Sequence, residues 1–445
     1  MQVSDQESSV AEILASDPRR AQPPAWKRLL ASDYVRKVSQ TYGAQILVAV
    51  LQMITTVIIA RALGPAGRGI YAVAVALGMV GVRLSTLGLH ASNTYYVAKR
   101  RELLPNMIAN TFVYSLFGGG LIAFALWGFF KYVPSTAPLH GRMLVLALVW
   151  IPLGLAYLLS QNLLIGIGEI KVYNLTELIA KVAVLALVAA IVLGRHANPE
   201  SLFIAGLLVL GGSLSIAYVV LHRACSAPLV CSWALARESM SVGFRAYLIS
   251  FFGFLVLRLD LLMVQKLLGA YQSGNYSIAS TMADAVYLLP TAFATILFPK
   301  VCAIEDVQER LRATSKASIA LAALLIPLAI VASLLAVPAV HLIFGQAYAQ
   351  AAPAFVWLMP GIVFLGIESV AVQFLNSFGY PWSVIAIWIV SAALNVGLNL
   401  WAIPAYGING AAAVSSVTYI TTSVFILAVI LRNWKSSKSV AYAGV

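Results

Sequence analysis

The feature that most constrains this chain is how often a long apolar run recurs. A bilayer core is crossed by a helix of roughly 20 apolar residues, and runs of that length occur about twelve times. They lie near 41–63, 70–96, 107–130, 143–166, 174–194, 201–221, 246–268, 275–298, 318–344, 353–376, 383–403 and 409–431. Inside lipid every backbone N–H and C=O must be satisfied within the protein, which leaves helices or a closed barrel. A barrel would show ten-residue segments of alternating polarity; these runs are continuous. The expectation is an all-α polytopic membrane protein. Composition agrees: 61% of the residues are hydrophobic and 10% charged, against roughly a quarter charged in soluble domains. A soluble enzyme, a disordered chain and a collagen-like repeat are excluded.

Charge placement sets the expected orientation. The net charge is +13, which on its own would suit a nucleic-acid partner. With the N-terminus cytoplasmic, however, 20 of the 29 Lys and Arg residues fall in cytoplasmic segments, five in outer loops and four within spans. That bias is the positive-inside pattern. It accounts for the basicity without nucleic acid and places both termini in the cytoplasm, in a cytoplasmic (inner) membrane. Cys225, Cys231 and Cys302 then all face the reducing side, too few for a disulfide framework. The expected organisation is a tail (1–39), a first six-helix bundle (40–222), a cytoplasmic linker (223–245), a second bundle (246–432) and a short tail (433–445). No secretory leader precedes the first run. Trp26–Val38 sets Trp26, Leu29, Leu30 and Val38 among Lys27, Arg28, Arg36 and Lys37. That pattern reads either as a basic amphipathic helix on anionic membrane lipids or as a solvated helical cap to the first span.

The chain also repeats itself. Residues 61–74 read RALGPAGRGIYAVA and residues 266–279 read KLLGAYQSGNYSIA. At a constant offset of 205, Leu63, Gly64, Gly69, Tyr71 and Ala74 meet Leu268, Gly269, Gly274, Tyr276 and Ala279. Arg61 and Val73 meet Lys266 and Ile278. A weaker echo at offset 211 joins Leu164 and Gly168 to Leu375 and Gly379. Six crossings separate the copies, so both halves share one orientation. Such parallel repeats in transporters bind substrate between halves and rock one against the other.

Soluble catalytic chemistry is absent. There is no G-x-x-x-x-G-K-[ST] loop, and GPAGRG at 64–69 lacks both the lysine and a preceding strand. The five histidines form no H-E-x-x-H, and no G-x-S-x-G elbow occurs. No cofactor is expected. What remains is the set of ionisable groups within spans, which by default mark function. Arg83 lies in the second span and Lys181, with Glu177 one turn before it, in the fifth. Arg258 and Asp260 lie in the seventh, Asp284 in the eighth and Glu368 in the tenth. The alternative for Arg258 is a structural ion pair with Asp284 or Glu368, and for Lys181 a pair with Glu177. Neutral polar faces accompany them: Gln45, Gln52 and Thr56; Tyr157 and Gln161; Ser391, Asn395 and Asn399.

The stretches ARALGPAGRGIYAVA, LRLDLLMVQKLLGAYQSGNYSIA, FGQAYAQAAPAFVWLMPG and IPAYGINGAAAVSS, in this order and spacing, carry a resemblance over roughly 40–432. The chain resembles the polysaccharide-biosynthesis flippases (Wzx-like) of the multidrug/oligosaccharidyl-lipid/polysaccharide superfamily. The resemblance implies two six-helix bundles around a central cavity. It also implies transfer of undecaprenyl-pyrophosphate-linked oligosaccharide by alternating access, alongside other polysaccharide-assembly proteins. Arg83, Arg258, Lys181, Gln52 and Gln161 are the substrate-side candidates. Asp260, Glu368, Asn395 and Asp284 are the candidates for a coupling site for H⁺ or Na⁺. Two other readings stay open: a cation-coupled multidrug antiporter of the same fold, and a membrane enzyme of polysaccharide assembly.

Overall fold

The computed structural model describes residues 33–225, 227–378 and 381–442. Most of the amphipathic stretch expected at Trp26–Val38 lies outside them. By its internal contacts the chain divides into Met1–Val48 and Ala49–Val445, and the second unit holds everything discussed below.

Among the described residues ten helices are long and apolar enough to cross a membrane. Two of them are double. Gln45–Ser85, within α1 (Asp33–Ser85), has 41 residues, and Trp382–Arg432, within α13 (Trp382–Tyr442), has 51. At 1.5 Å per residue the shorter would reach about 60 Å, twice a bilayer core. Each is broken by a glycine in the left-handed region, Gly64 (φ 64°) and Gly407 (φ 63°), a backbone that side chains disfavour. Counting each as two gives the twelve crossings that the apolar runs predict. Gly269 (φ 85°) plays the same part between α8 (Trp233–Leu268) and α9 (Ala270–Ala303). It is the repeat partner of Gly64.

Between these lie α2 (Leu89–Lys99), α3 (Leu104–Tyr114), α4 (Gly120–Tyr132), α5 (Gly141–Gly166), α6 (Ile170–Leu193) and α7 (Pro199–Arg223). After α9 come α10 (Val307–Leu334), α11 (Ala336–Ile343) and α12 (Ala351–Asn376). Of the most apolar stretch of α12, 61% is buried; for α6 the share is 11%. The tenth span is therefore central in its half and the fifth is peripheral.

Several elements depart from the expected bounds. The second span is not continuous: α1 stops at Ser85, and Leu87 (φ 40°) and Gly88 (φ 90°) turn the chain into α2. The cause is a backbone contact. A Cβ on Gly88 would stand 2.6 Å from the carbonyl carbon of Gly243. The third span carries a single π turn, Ser115–Gly119, opposite Pro152 of α5. The ninth is split at Leu335. The seventh begins at Trp233, inside the stretch expected as linker, because Ser232 caps it by accepting from the Leu235 N–H at 3.4 Å. The last helix runs on to Tyr442, into the expected tail.

The two halves meet at both ends. At the glycine-turn end, a Cβ on Gly69 would overlap the Ala270 carbonyl oxygen, and one on Gly274 would overlap that of Pro65. These pairs are reciprocal under the repeat, since 65 answers to 270 and 69 to 274. Arg61 adds two bonds, from Nε to the Ile343 carbonyl (2.9 Å) and from a terminal nitrogen to that of Leu342 (2.6 Å). The Tyr348 hydroxyl donates to the Ala60 carbonyl at 2.7 Å. At the opposite, basic end the contacts are not reciprocal. Gly88 lies on Gly243, the Tyr247 hydroxyl donates to the Leu84 carbonyl (3.2 Å), and the Tyr96 hydroxyl donates to Glu238 (2.7 Å).

Candidate functional site

The ionisable residues gather in the second half and on its face toward the first. Asp260 is 3% exposed. Its carboxylate accepts from the Tyr276 hydroxyl of α9, from the Ser415 hydroxyl of α13 (3.0 Å) and from the Leu261 N–H (2.7 Å). A buried carboxylate is tolerable only with donors of this kind. Tyr276 belongs to the repeat motif and is fully buried, so one copy of the repeat supplies a ligand to this acid.

Glu368 of α12 is equally buried, but its Oε1 has no hydrogen-bond partner among the described residues. It does not share a level with Asp260. Gly361 of α12 is tied to Ser416, next to the Ser415 that holds Asp260. Glu368 follows Gly361 by seven residues, about 10 Å of helix. The expected grouping of Asp260, Glu368 and Asn395 is thus spread along the bundle axis. The Ser391, Asn395 and Asn399 face is fully buried. Asn399 donates to Asn395 at 3.0 Å and Ser391 pairs with Thr422 at 2.7 Å. The Asn395 Nδ2 and Asn399 Oδ1 atoms stay unpaired.

Arg258 forms an ion pair with Asp284 at 2.8 Å, the side chains being 28% and 41% exposed. Of the two acids weighed as its partner, Asp284 is the one it meets. Arg83 comes from the first half and lies over the Phe254 ring, 5.5 Å from its centre. Phe254 and Arg258 are one turn apart on α8, so both arginines address one helix face from opposite halves. Among the described residues Arg83 has no acidic partner.

The remaining substrate-side candidates lie apart from this face. Lys181 is half-buried on α6 and makes no ion pair with Glu177. That carboxylate instead accepts from the Tyr157 hydroxyl at 2.6 Å, a donor from the neighbouring helix that local spacing does not reveal. Gln161 is buried one turn beyond Tyr157, and Gln52 is exposed. Reasoning from the sequence missed Tyr276 and Ser415 as partners of Asp260. Tyr276 stood in the repeat, but only as a matched position. It also missed Arg68, counted there as a loop base: the structure buries it to 7% exposure at the glycine-turn seam.

Twelve helical crossings in two repeat-related halves, with paired and unpaired charges between them, define a membrane transporter of the multidrug/oligosaccharidyl-lipid/polysaccharide superfamily. Solved structures agree on the fold. An inward-facing multidrug-resistance transporter of this superfamily superposes with a TM-score of 0.69 at 15% identity, over 89% of this chain and 99% of that one. The lipid II flippase MurJ, in an inward closed conformation, gives 0.67 at 13% identity, over 88% and 87%. Within the superfamily, this chain belongs to the polysaccharide biosynthesis protein family, whose pattern matches residues 34–305. A Shigella flexneri protein named for O-antigen transport is 22% identical over 305 residues, covering 65% of this chain and 72% of that protein. An uncharacterized membrane protein of Methanocaldococcus jannaschii is 32% identical over 99 residues; the chain spans 20% of that relative's length.

Proposed function

We propose that the chain is a flippase. It moves undecaprenyl-pyrophosphate-linked oligosaccharide from the cytoplasmic to the periplasmic leaflet of the cytoplasmic membrane, by alternating access, for surface polysaccharide assembly. The observation that carries this reading is the meeting of Arg83 and Arg258 on one face of α8, with Arg83 lacking an acid. A pyrophosphate head is multiply anionic, and a guanidinium reads it through paired donors in low dielectric. Arg83 is the group free to take it first. Arg258 joins when its tie to Asp284 is exchanged for the ligand. Lys181, Gln52 and Gln161 have no such placement and are assigned to the sugar path only by residue type.

The coupling ion is H⁺ or Na⁺, taken by the buried acids of the second half. Glu368, with an unpaired oxygen, and the open amide ends of Asn395 and Asn399 are the favoured ligands. Asp260 and Asp284 are engaged by donors and by Arg258 and respond secondarily. A change of charge there biases one seam against the other by differential binding. Both termini are cytoplasmic, with the glycine turns periplasmic.

The test is transport in vesicles with an imposed ion gradient, using a lipid-linked oligosaccharide and, in parallel, a cationic drug. The flippase reading expects sugar-lipid transfer that is lost in Arg83→Ala with Arg258→Ala and loses its gradient response in Glu368→Gln. Normal transfer by the double variant sinks the arginine assignment. Drug export without sugar-lipid transfer would instead establish the antiporter, the reading that the buried acids and the fold of the multidrug transporter also support.

A further inference from the structure

Arg68 sits in the first glycine turn, between Gly67 and Gly69, and is 7% exposed. A guanidinium carries five N–H donors. Among the described residues this one makes no hydrogen bond and no ion pair, and its Nε is shut off from any acceptor. Its neighbours are the Tyr71 ring, 5.6 Å from the guanidinium carbon, and the Tyr348 side chain; those two phenols are the titratable groups that act on it, and no carboxylate does. The Tyr348 hydrogen is already given to the Ala60 carbonyl, so that hydroxyl has lone pairs but no spare proton.

Two comparisons on the same seam sharpen the anomaly. Arg61, seven residues earlier, is exposed yet satisfied by the Leu342 and Ile343 carbonyls. In the second copy of the repeat the matched residue is Ser273, whose hydroxyl bonds to Gln265 (2.5 Å) and to the Ala270 carbonyl (3.0 Å). So the seam normally closes its polar groups, and Arg68 alone of these three is left open. It is also held rigidly, because the Gly69–Ala270 crossing fixes the backbone beside it. A buried cation without a counter-charge is costly to the fold, and natural sites of this kind are filled by an anion.

We propose that Arg68 is the binding group of an oxyanion site at the glycine-turn seam, and that its ligand is a phosphate or pyrophosphate group. The planar fork of donors matches two oxygens of such a group, and in a membrane seam phosphate head groups are the anions at hand. Occupancy neutralises the one uncompensated charge of that seam. The site is separate from the Arg83–Arg258 face and does not depend on what the chain carries. A chain that binds pyrophosphate at Arg68 yet moves no sugar-lipid would refute the proposed function and leave this site standing.

The experiment is thermal unfolding of the full chain in nanodiscs. Wild type, Arg68→Met and Arg68→Gln are compared in phosphatidylcholine, with and without inorganic pyrophosphate at matched ionic strength, and in phosphatidylglycerol without it. In phosphatidylcholine alone both variants should melt at or above the wild type, since each removes an unpaired buried charge. Pyrophosphate should raise the wild-type midpoint by several degrees and leave the variants unmoved. A rise with phosphatidylglycerol alone, confined to the wild type, supports the site with a phospholipid head as its source; a rise with pyrophosphate only supports it with a soluble or cargo phosphate. The proposal is overturned if both variants fail to fold or melt clearly lower, which makes Arg68 a structural group. It is equally overturned if wild type and variants shift alike, or if the wild type shifts with neither anion.

Discussion

The two copies of the repeat share a backbone and differ in chemistry. Gly64 and Gly269 turn the chain, and Gly69 and Gly274 let the halves cross, in the same way on both sides. Extending the offset of 205 back along the helices sets Thr55 against Asp260. The Thr55 hydroxyl bonds to its own helix, at the Leu51 carbonyl (2.8 Å). Asp260 draws in α9 and α13. Tyr71 likewise packs on Phe203 and under Arg68, while its counterpart Tyr276 donates to Asp260. What is held in common is therefore the glycine geometry that only the main chain sees. Side chains at matched positions are free to diverge, and the buried acid arose in one copy only.

The largest expected effect breaks what the copies share. Gly69→Ala and Gly274→Ala each drive a Cβ into a carbonyl oxygen of the other half. Overpacking costs about 1–3 kcal/mol, and because backbone cannot swing aside both should fall at the upper end. Gly120→Ala, with nothing within 4 Å of the new carbon, should be neutral or slightly stabilising. Thermal unfolding of the three variants checks this; equal melting would show that the crossing is looser than described.

A smaller effect separates the copies. Tyr276→Phe strips one donor from a buried carboxylate and should cost about 1–3 kcal/mol. Tyr71→Phe keeps a ring beside Arg68 and should cost less than about 0.5 kcal/mol. Chemical denaturation that ranks them the other way would mean that Asp260 does not rely on α9.

The smallest effect compares the two arginines on α8. Asp284→Asn removes the partner of Arg258, and with both side chains partly exposed the loss should be about 1 kcal/mol. Arg83→Met forfeits a cation–ring contact of about 0.5–1 kcal/mol and leaves no acid stranded. A double-mutant cycle should find coupling between Arg258 and Asp284 and none between Arg83 and Asp284.

The spans and their turns were legible because their causes are local: apolar runs of bilayer length, and glycines where the chain must enter the left-handed region. The break after Ser85 was not, since it is imposed by Gly243 from another half. Nor were the partners of the charges. Spacing offered Glu177 to Lys181, but Tyr157 on the next helix reaches the carboxylate first. For Arg258 the sequence left two acids open, and only helix packing chooses Asp284. Asp260 was recognisable by its depth, whereas Tyr276 and Ser415 became its ligands through contacts spanning 16 and 155 residues.

The crossing of Gly69 over Ala270, answered by Gly274 over Pro65, has the form of an isologous interface, in which patch i meets j and j meets i. In a symmetric homodimer any substitution there strikes twice, so such a patch is locked. Fusing two copies into one chain lifts that constraint, because each arm can then change alone. An arginine at 68 opposite a serine at 273 is a combination that no symmetric ancestor could have carried.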